Sequence, residues 1–503
     1  MIEFSKRKLA YNTFYNLGGK VLPITVAIIS IPILISKLGL ERYGILTLIW
    51  SIIGYFGLFD LGIGRATTKF VAEYLALDKL EDLPSLIWTS LFFMFLFGVA
   101  GGVLAYITIP LLISKVFKVS PDLVAETRRA FHILVFIIPF MVSMAATTGV
   151  LEAKQRFGLI NSIKTPASLI DYLAPLLILL YTKSLFPIVM VMAGTRLLVW
   201  LAFLYFCITS IPGMNRFHAP QFQHLKQLLG FGGWITISGI VSPLMVYMDR
   251  FFIGALLTMQ AVAYYVTPYA MVTKLLLIPS SLLPVLFPAF SAYAAGHEPK
   301  LASLHNRAVK YLSLALIPIV VVVIVLAKPF LSVWINPDFA EVSAPILQLL
   351  AIGVMINSIA WVPFGAIQAM GRPDLTAKLH LAELPFYLGF LWFSIHSLGL
   401  IGVALAWVLR ASIDSALLFW WKNRLLSDTS RAPLTIAGGL TLGTALLLAG
   451  AVFLTITPSF PTKIAGLPCI IFGIAFLAWR YLLDEPEKEQ IYLTKAKLLK
   501  FLA

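Results

Sequence analysis

Long apolar segments separated by short polar loops recur from one end of the chain to the other. A helix of about twenty apolar residues is long enough to cross the hydrocarbon core of a bilayer. The apolar runs over 314–326 and 440–453 lack the alternation of apolar and polar positions that a membrane β-barrel strand would show. Because backbone polar groups in lipid must bond within their own segment, the pattern predicts membrane-spanning α-helices.

Applied along the whole chain, this criterion predicts about fourteen transmembrane helices. They lie near 13–36, 43–63, 84–113, 129–150, 164–182, 185–211, 228–252, 261–284, 308–335, 342–368, 376–396, 399–421, 434–457 and 464–483. The basic residues test the topology, because translocation disfavours loops rich in Lys and Arg. With the N-terminus inside, most of the basic residues outside the spans fall in cytoplasmic segments. We therefore expect a multi-pass protein with both termini in the cytoplasm.

Composition supports the same fold class, an all-α integral membrane protein. Of the 503 residues, 60% are hydrophobic and 12% are charged, whereas a soluble domain carries about 25% charged residues. The net charge of +15 is explained by basic cytoplasmic loops, and no basic stripe with interleaved aromatic residues predicts nucleic-acid binding. Cys207 and Cys469 lie inside apolar spans and predict no disulfide. The seven His residues show no metal-ligand spacing and no enzyme motif is present, so we expect no metal, no cofactor and no catalytic residues.

An internal repeat divides the chain. VFKVSPDLVAE (116–126) resembles VWINPDFAEVS (333–343), and GVLEAKQRF (149–157) resembles AIQAMGRPD (366–374) at the same offset. A repeat of six spans is even, so both copies face the same way across the membrane. The sequence therefore predicts two six-helix lobes related by an axis along the membrane normal, as in transporters with parallel repeats.

The repeat sets the predicted domain boundaries. They comprise an N-terminal six-helix lobe (1–214), an inter-lobe cytoplasmic linker (215–227), a C-terminal six-helix lobe (228–424), an extra helix pair (425–483) and a cytoplasmic amphipathic tail (484–503). A second amphipathic stretch over 65–82 is expected to lie along the cytoplasmic surface.

Two spans carry a lysine within a stripe of small or polar residues. In the first span, Thr13, Asn16, Lys20 and Ser30 recur at helical spacing, and the eighth span repeats the pattern with Thr267, Lys274 and Ser281. Such a face meets either another helix or a wet cavity. We expect a cationic cavity between the lobes that receives an anionic headgroup. The alternative is small-residue helix packing with a lysine that reaches toward the interface.

Other ionisable residues also lie within the predicted spans. Placing such a side chain in the bilayer costs at least about 2.5–3.5 kcal/mol on insertion scales, so we expect each one to have a partner or a function. Asp249 and Arg250 are expected to form a local structural pair, and Arg410 could pair with Asp414 at i, i+4. Asp60, Asp171 and Glu383 could carry a coupling proton or sodium ion. For each of these three, an ordinary interhelical or helix-end carboxylate is the competing interpretation.

Two segments resemble a known family. ISKLGLERYGILTLIWSIIGYFGLFDLGIGRATTKFVAEY (35–74) resembles the N-terminal hallmark of the bacterial polysaccharide flippases, which export O-antigen and exopolysaccharide repeat units. YMDRFFIGALLTMQAVAYYVTPYAM (247–271) is similar to the seventh-to-eighth-span pattern of the same family. The family belongs to the multidrug/oligosaccharidyl-lipid/polysaccharide (MOP) exporter superfamily, and the resemblance covers roughly residues 5–425.

The resemblance implies a V-shaped, MATE-like transporter in the inner membrane that works by alternating access. Its substrates would be undecaprenyl-pyrophosphate-linked oligosaccharides, flipped from the cytoplasmic to the outer leaflet for cell-surface polysaccharide biosynthesis, including lipopolysaccharide. The related peptidoglycan-precursor flippases carry basic cavity residues on the first and eighth spans, and Lys20 and Lys274 lie on those spans. We assign both to the pyrophosphate, with Arg196 as a helper. The expected partners are this lipid-linked substrate, membrane lipids and polysaccharide polymerase or assembly proteins, and the protein is expected to be a monomer.

Two rival functions stay open at this point. A cation-coupled multidrug or small-molecule antiporter of the same superfamily would need an acidic cavity, whereas the charges on the candidate stripes are basic. The second rival is a membrane-embedded transferase or an assembly scaffold, which would not transport a substrate. A transferase needs a polar catalytic loop, and no loop of this sequence offers one.

Overall fold

The computed structural model describes residues 6–58, 62–294, 298–426 and 460–477, together with 479–480, 485 and 488–489. The ordered elements are helical throughout these residues. In chain order they are α1 (Lys6–Leu38), α2 (Leu40–Leu58), α3 (Ile63–Ala76), α4 (Leu83–Leu111), α5 (Pro121–Ala153), α6 (Phe157–Ile178), α7 (Leu185–Ser210), α8 (Phe222–Leu256), α9 (Met259–Val272), α10 (Leu277–Ala294), α11 (Glu298–Trp334), α12 (Pro337–Ala369), α13 (Pro373–Leu425) and α14 (Phe460–Leu477). The prediction of an all-α integral membrane protein is confirmed.

Seven helical stretches in the described part of the chain are long and apolar enough to cross a membrane. They are Leu83–Val116, Pro121–Ala153, Leu185–Ser210, Met259–Leu283, Pro299–Trp334, Pro337–Ala369 and Pro373–Leu425. The last has 53 residues and is interrupted at Gly399, whose φ of 59° and ψ of −135° are not helical. This break falls at the first residue of the predicted twelfth span, 399–421, just after the predicted eleventh span. The predicted thirteenth span, 434–457, lies outside the described residues, and the total of fourteen stays a prediction.

Contacts between Cα atoms divide the chain into two compact units. The first unit is Met1–Val266 with His380–Gly399, and the second is Thr267–Leu379 with Leu400–Ala503. Each unit has its own buried core. The two-lobe division at 214 and 228, the linker, the extra helix pair and the amphipathic tail stay predictions.

The core of the first unit is built where α3, α4 and α5 meet the end of α7. Its fully buried side chains include Ile63, Leu83, Leu86 and Cys207. The helices approach closely because glycines stand at the contacts. A Cβ added at Gly98 of α4 would lie 2.5 Å from the Cα of Pro139 on α5, so only glycine fits this crossing.

Polar contacts at one end of the first unit join the starts of three helices. The Glu41 carboxylate in the first turn of α2 accepts from the backbone N–H and from the hydroxyl of Ser120, each at 2.7 Å, and Ser120 immediately precedes α5. Glu126 accepts from the backbone N–H of Leu185, the first residue of α7, and lies 3.4 Å from Arg42. These carboxylates satisfy helix-start donors that have no partner within their own helices.

The predicted repeat has a counterpart in the helix boundaries. Both α5 and α12 contain 33 residues, begin with proline and carry an aspartate in the first turn, Asp122 and Asp338. After each helix, one residue adopts a positive φ, Gln155 and Gly371 respectively. Proline suits the first turn because its missing N–H would have no partner there. The two sequence copies therefore start and stop their helices in the same way.

The eighth predicted span, 261–284, is not one uniform helix. Residues Thr273–Leu276 form a 3₁₀ turn between α9 and α10. A 3₁₀ residue turns the chain by about 120° and an α-helical residue by about 100°, so four residues add about 80°. Side chains before and after this turn therefore do not follow a single helical face.

Candidate functional site

The three residues assigned to a substrate phosphate stand in different settings. Lys20 belongs to α1, and its side chain lies outside the described residues. Lys274 is exposed, sits in the 3₁₀ turn, and makes no ion pair with another described residue. Arg196 on α7 donates a hydrogen bond to the Asp171 carboxylate on α6. Of the three, Lys274 is the cation that the structure describes as available to a ligand.

The ion pair between Asp171 and Arg196 joins two residues for which we predicted separate roles. Both side chains are 15% exposed. Tyr172, the neighbour of Asp171, contacts Trp50 of α2 with ring centroids 5.2 Å apart. The pair therefore lies in a largely dry interface between α6 and α7, where each charge compensates the other. Sequence spacing gave no indication of this pairing, because the two residues are 25 positions apart.

The polar stripes are only partly described. The side chains of Thr13 and Asn16 lie outside the described residues. Ser30 is 1% exposed, and its hydroxyl has no hydrogen-bond partner among the described residues. Thr267 is also 1% exposed, whereas Ser281 is exposed and its hydroxyl donates to the backbone carbonyl of Ile278 at 2.8 Å. Thr267, Lys274 and Ser281 thus do not share one environment, because the 3₁₀ turn rotates the stripe.

The three candidate ion-coupling carboxylates also differ. Asp60 lies outside the described residues. Asp171 is held by Arg196, as described above. Glu383 on α13 is 8% exposed, so it is not a surface acid, and its role in ion coupling stays a prediction. No cluster of three or more metal-ligating side chains occurs in the described parts of the chain.

Asp249 and Arg250 form the centre of a buried network in the first unit. Asp249 is 0% exposed and Arg250 5% exposed. Tyr265 donates to Asp249 at 2.8 Å, the Arg250 backbone N–H donates to the same carboxylate at 2.7 Å, and the Arg250 guanidinium donates to the Ser51 hydroxyl at 3.2 Å. The guanidinium also lies 4.7 Å from the ring centroid of Tyr247. The network joins α2, α8 and α9.

Ser51 and Tyr265 are members of this network that sequence reasoning missed. Both lie inside segments that match the family pattern, so the pattern could have drawn attention to them, but nothing in their spacing indicates a bond to the Asp249–Arg250 pair. Arg250 Nε lies 3.9 Å from Asp249 Oδ1, so the two charges form a buried ion pair. The structural role given to the pair stays a prediction.

In the second unit, the Arg410 guanidinium lies 5.7 Å from the ring centroid of Trp407, three residues earlier on α13. Asp414 is 7% exposed. Trp407 also contacts the Tyr269 ring at 5.8 Å and covers Gly353 of α12, where an added Cβ would lie 2.7 Å from the indole. Arg410 is therefore packed against an aromatic contact between helices, and its pairing with Asp414 stays a prediction.

Comparisons with known proteins show the family to which this chain belongs. Residues 9–294 match the family model described as polysaccharide biosynthesis protein. A Shigella flexneri protein, whose assignment as an O-antigen transporter is itself provisional, is 30% identical over 416 residues, which cover 83% of this chain and 98% of that protein.

Solved structures share the fold at low sequence identity. The lipid II flippase MurJ in an inward closed conformation aligns with a TM-score of 0.71 at 14% identity, over 94% of this chain and 100% of its own. An inward-facing multidrug resistance MATE family transporter of the MOP superfamily aligns with a TM-score of 0.70 at 15% identity, over 81% of this chain and 96% of its own. The chain therefore has a MOP-superfamily transporter fold and belongs to the polysaccharide biosynthesis protein family.

Proposed function

We propose that this protein is a flippase for lipid-linked oligosaccharides. It moves repeat units carried on undecaprenyl pyrophosphate from the cytoplasmic to the outer leaflet of the inner membrane by alternating access, for cell-surface polysaccharide biosynthesis. Both termini lie in the cytoplasm. The observation that carries the proposal is the extended similarity to the Shigella flexneri protein named for O-antigen transport, on a fold shared with a lipid II flippase.

The chemistry of the described spans fits an anionic headgroup. Lys274 presents an exposed ammonium at a point where the helix changes its geometry. A pyrophosphate accepts several charge-assisted hydrogen bonds, each roughly twice as strong as a neutral one. Lys20 on the first span is the second residue proposed to hold it. The sugars would cross within the protein while the polyprenyl chain stays in lipid.

Arg196 can take part in this mechanism only if its ion pair with Asp171 opens. Because its guanidinium is paired with Asp171, it would have to exchange that carboxylate for a substrate phosphate. The two are both anionic acceptors, so the exchange conserves charge at Arg196 and releases Asp171 to bind a proton or a sodium ion. This gives Asp171 a defined opportunity for ion coupling. Glu383 and Asp60 are the alternative ion-coupling residues, and their role would not depend on Arg196.

Translocation of a fluorescent lipid-linked oligosaccharide in proteoliposomes tests the proposal. Wild-type protein should move the probe across the bilayer. Lys274→Ala should reduce the rate by about tenfold or more, since one charge-assisted bond contributes about 1.5–3 kcal/mol. Lys274→Arg should retain most of the rate. Lys183→Ala removes an exposed lysine between α6 and α7 and is the matched control.

The same vesicles distinguish the rival functions. A proton or Na⁺ gradient that changes the rate of oligosaccharide movement would identify ion coupling. Gradient-driven movement of cationic drugs, with no movement of the oligosaccharide, would replace the flippase proposal with an antiporter. If wild-type protein moves neither compound, the transport proposal fails. Association with polymerase or assembly proteins is a separate question, which co-purification from the producing membrane addresses.

A further inference from the structure

A group of buried basic side chains lies where α11 meets the end of α13, within the second unit. His305 of α11 is 1% exposed, and its ring contacts the Phe419 ring of α13 with centroids 5.7 Å apart. Lys422 follows Phe419 by three residues, so it lies on the same face of α13 as the ring that contacts His305, and it is 7% exposed. We call His305 and Lys422 the basic cluster.

Both members of the basic cluster present unused hydrogen-bonding groups. His305 Nδ1 lies 3.2 Å from the Asn306 side-chain oxygen, whereas Nε2 is buried and has no hydrogen-bond partner. Lys422 makes no hydrogen bond or ion pair with any residue in the described parts of the chain. A buried cation without an anion is unfavourable, and a protein that keeps one usually supplies a compensating charge.

The surroundings indicate the depth of the cluster in the membrane. Trp420 and Trp421 lie with ring centroids 4.8 Å apart, and the Arg424 guanidinium lies over both rings, at 5.4 and 6.0 Å. Tryptophan and arginine are enriched at the level of lipid headgroups. Lys422 stands between these residues in the chain. This setting is the one expected at headgroup depth, and the predicted topology puts this end of α13 on the cytoplasmic side.

We propose that the basic cluster binds a phosphate group, supplied either by the headgroup of an anionic phospholipid or by free phosphate. The Lys422 ammonium offers up to three donors on a flexible stem. His305 Nε2 donates as the imidazolium, or as the neutral ring protonated at Nε2 with the Asn306 amide turned to face Nδ1. Basic pockets between transmembrane helices on the cytoplasmic side suit lipid phosphates.

This site differs from the one proposed for transport. It involves the ends of α11 and α13, whereas Lys274 lies in the 3₁₀ turn after α9. Its ligand would be a resident of the membrane or of the cytoplasm, not the transported oligosaccharide. Binding is measurable without transport, so failure of one proposal leaves the other standing.

The test measures thermal unfolding and bound lipid on the purified full chain. Phosphatidylglycerol, phosphatidylcholine and inorganic phosphate are added in separate titrations, and native mass spectrometry counts retained lipid. We expect phosphatidylglycerol or phosphate to raise Tm, with phosphatidylcholine inactive. Lys422→Ala should weaken the binding of whichever anion stabilises the wild type by about tenfold or more. Lys300→Ala, at an exposed lysine of α11, the helix that carries His305, should bind as wild type.

Two further variants guard against misfolding. His305→Asn removes the Nε2 position and should weaken binding, whereas His305→Gln keeps a donor near it and should bind more tightly than His305→Asn. Without anions, Lys422→Met should unfold at the wild-type Tm or above it, because no described residue compensates the charge that it removes.

The outcomes separate the two sources of phosphate. Stabilisation by phosphatidylglycerol alone identifies a lipid site, and equal stabilisation by inorganic phosphate identifies a free-phosphate site. The proposal is wrong if neither anion stabilises the wild type, if Lys422→Ala binds as tightly as wild type, or if Lys422→Met lowers Tm without anions, which would mean that Lys422 already has a partner.

Discussion

The Asp171 carboxylate on α6 accepts a hydrogen bond from the Arg196 guanidinium on α7, within one compact unit. This single contact changes the interpretation of both residues. From the sequence, Arg196 is expected to help bind the substrate phosphate and Asp171 is a candidate for binding a coupling ion. In the structure each neutralises the other in a largely dry interface. A transport role for either residue therefore requires the pair to open.

Removing one member of this pair should destabilise the protein more than removing both. A single change, Arg196→Leu or Asp171→Leu, leaves a buried charge without its partner, which costs about 3–5 kcal/mol. The double variant leaves no charge and should recover much of the lost Tm. Thermal unfolding of the four proteins in a double-mutant cycle measures the coupling. Additive losses would mean that the two charges do not stabilise each other.

Tyr265→Phe should weaken the buried network around Asp249. The Tyr265 hydroxyl donates to Asp249 at 2.8 Å, and a hydrogen bond to a charged group contributes about 1.5–3 kcal/mol. We expect a lower Tm with the fold retained. Tyr181→Phe, at a side chain that is 89% exposed, should leave Tm unchanged. Equal Tm values for the two variants would show that Asp249 obtains enough stabilisation from its other partners.

The close crossing of α4 and α5 predicts opposite effects for two glycines one turn apart. A Cβ at Gly98 would lie 2.5 Å from the Cα of Pro139, whereas a Cβ at Gly101 meets nothing within 4 Å. Gly98→Ala should cost about 1–3 kcal/mol through overpacking. Gly101→Ala should stabilise the helix by about 0.5–1 kcal/mol. Expression level and Tm measure the effects of both substitutions. If Gly98→Ala keeps the wild-type Tm, α5 can move away from α4.

Gly399 should be sensitive to substitution for a reason other than space. An added Cβ meets nothing within 4 Å at Gly399 and nothing at Gly389, but only Gly399 has a positive φ, of 59°. Gly399→Ala should therefore cost about 1–3 kcal/mol in backbone strain, while Gly389→Ala should be neutral or stabilising. A comparison of Tm isolates the backbone conformation. If Gly399→Ala unfolds at the wild-type temperature, the break between the two halves of α13 does not depend on that φ.

Much of the fold could be predicted from the sequence because membrane helices are set by local rules. Apolar length and helix-start prolines fix elements such as α5 and α12, whose starts at Pro121 and Pro337 are visible in the sequence. The 3₁₀ turn around Lys274 was not predicted. Its residues, Thr273–Leu276, are compatible with an ordinary α-helix, so only their tertiary packing decides between the two geometries.

The candidate site was harder to predict because it depends on contacts between helices. Hydropathy identified Asp171 and Arg196 as costly charges, but periodicity within one helix cannot show that they face each other across two. His305 and Lys422 fall just outside the predicted spans 308–335 and 399–421, so the sequence does not indicate that either is buried. Their burial became visible only when α11 and α13 met. For Lys20 and Asp60, the described residues add nothing to the sequence-based prediction.

The 3₁₀ turn at Thr273–Leu276 also bears on how this protein should be labelled. Four 3₁₀ residues are about 2 Å longer than four α-helical residues. Spin labels or engineered cysteines placed on α10 by counting from α9 would therefore be assigned to the wrong side and the wrong membrane depth. A labelling scan that counts the helical positions of α10 afresh from Leu277 avoids both errors. A change of that register during the transport cycle would then appear as a screw-like displacement of every label on α10.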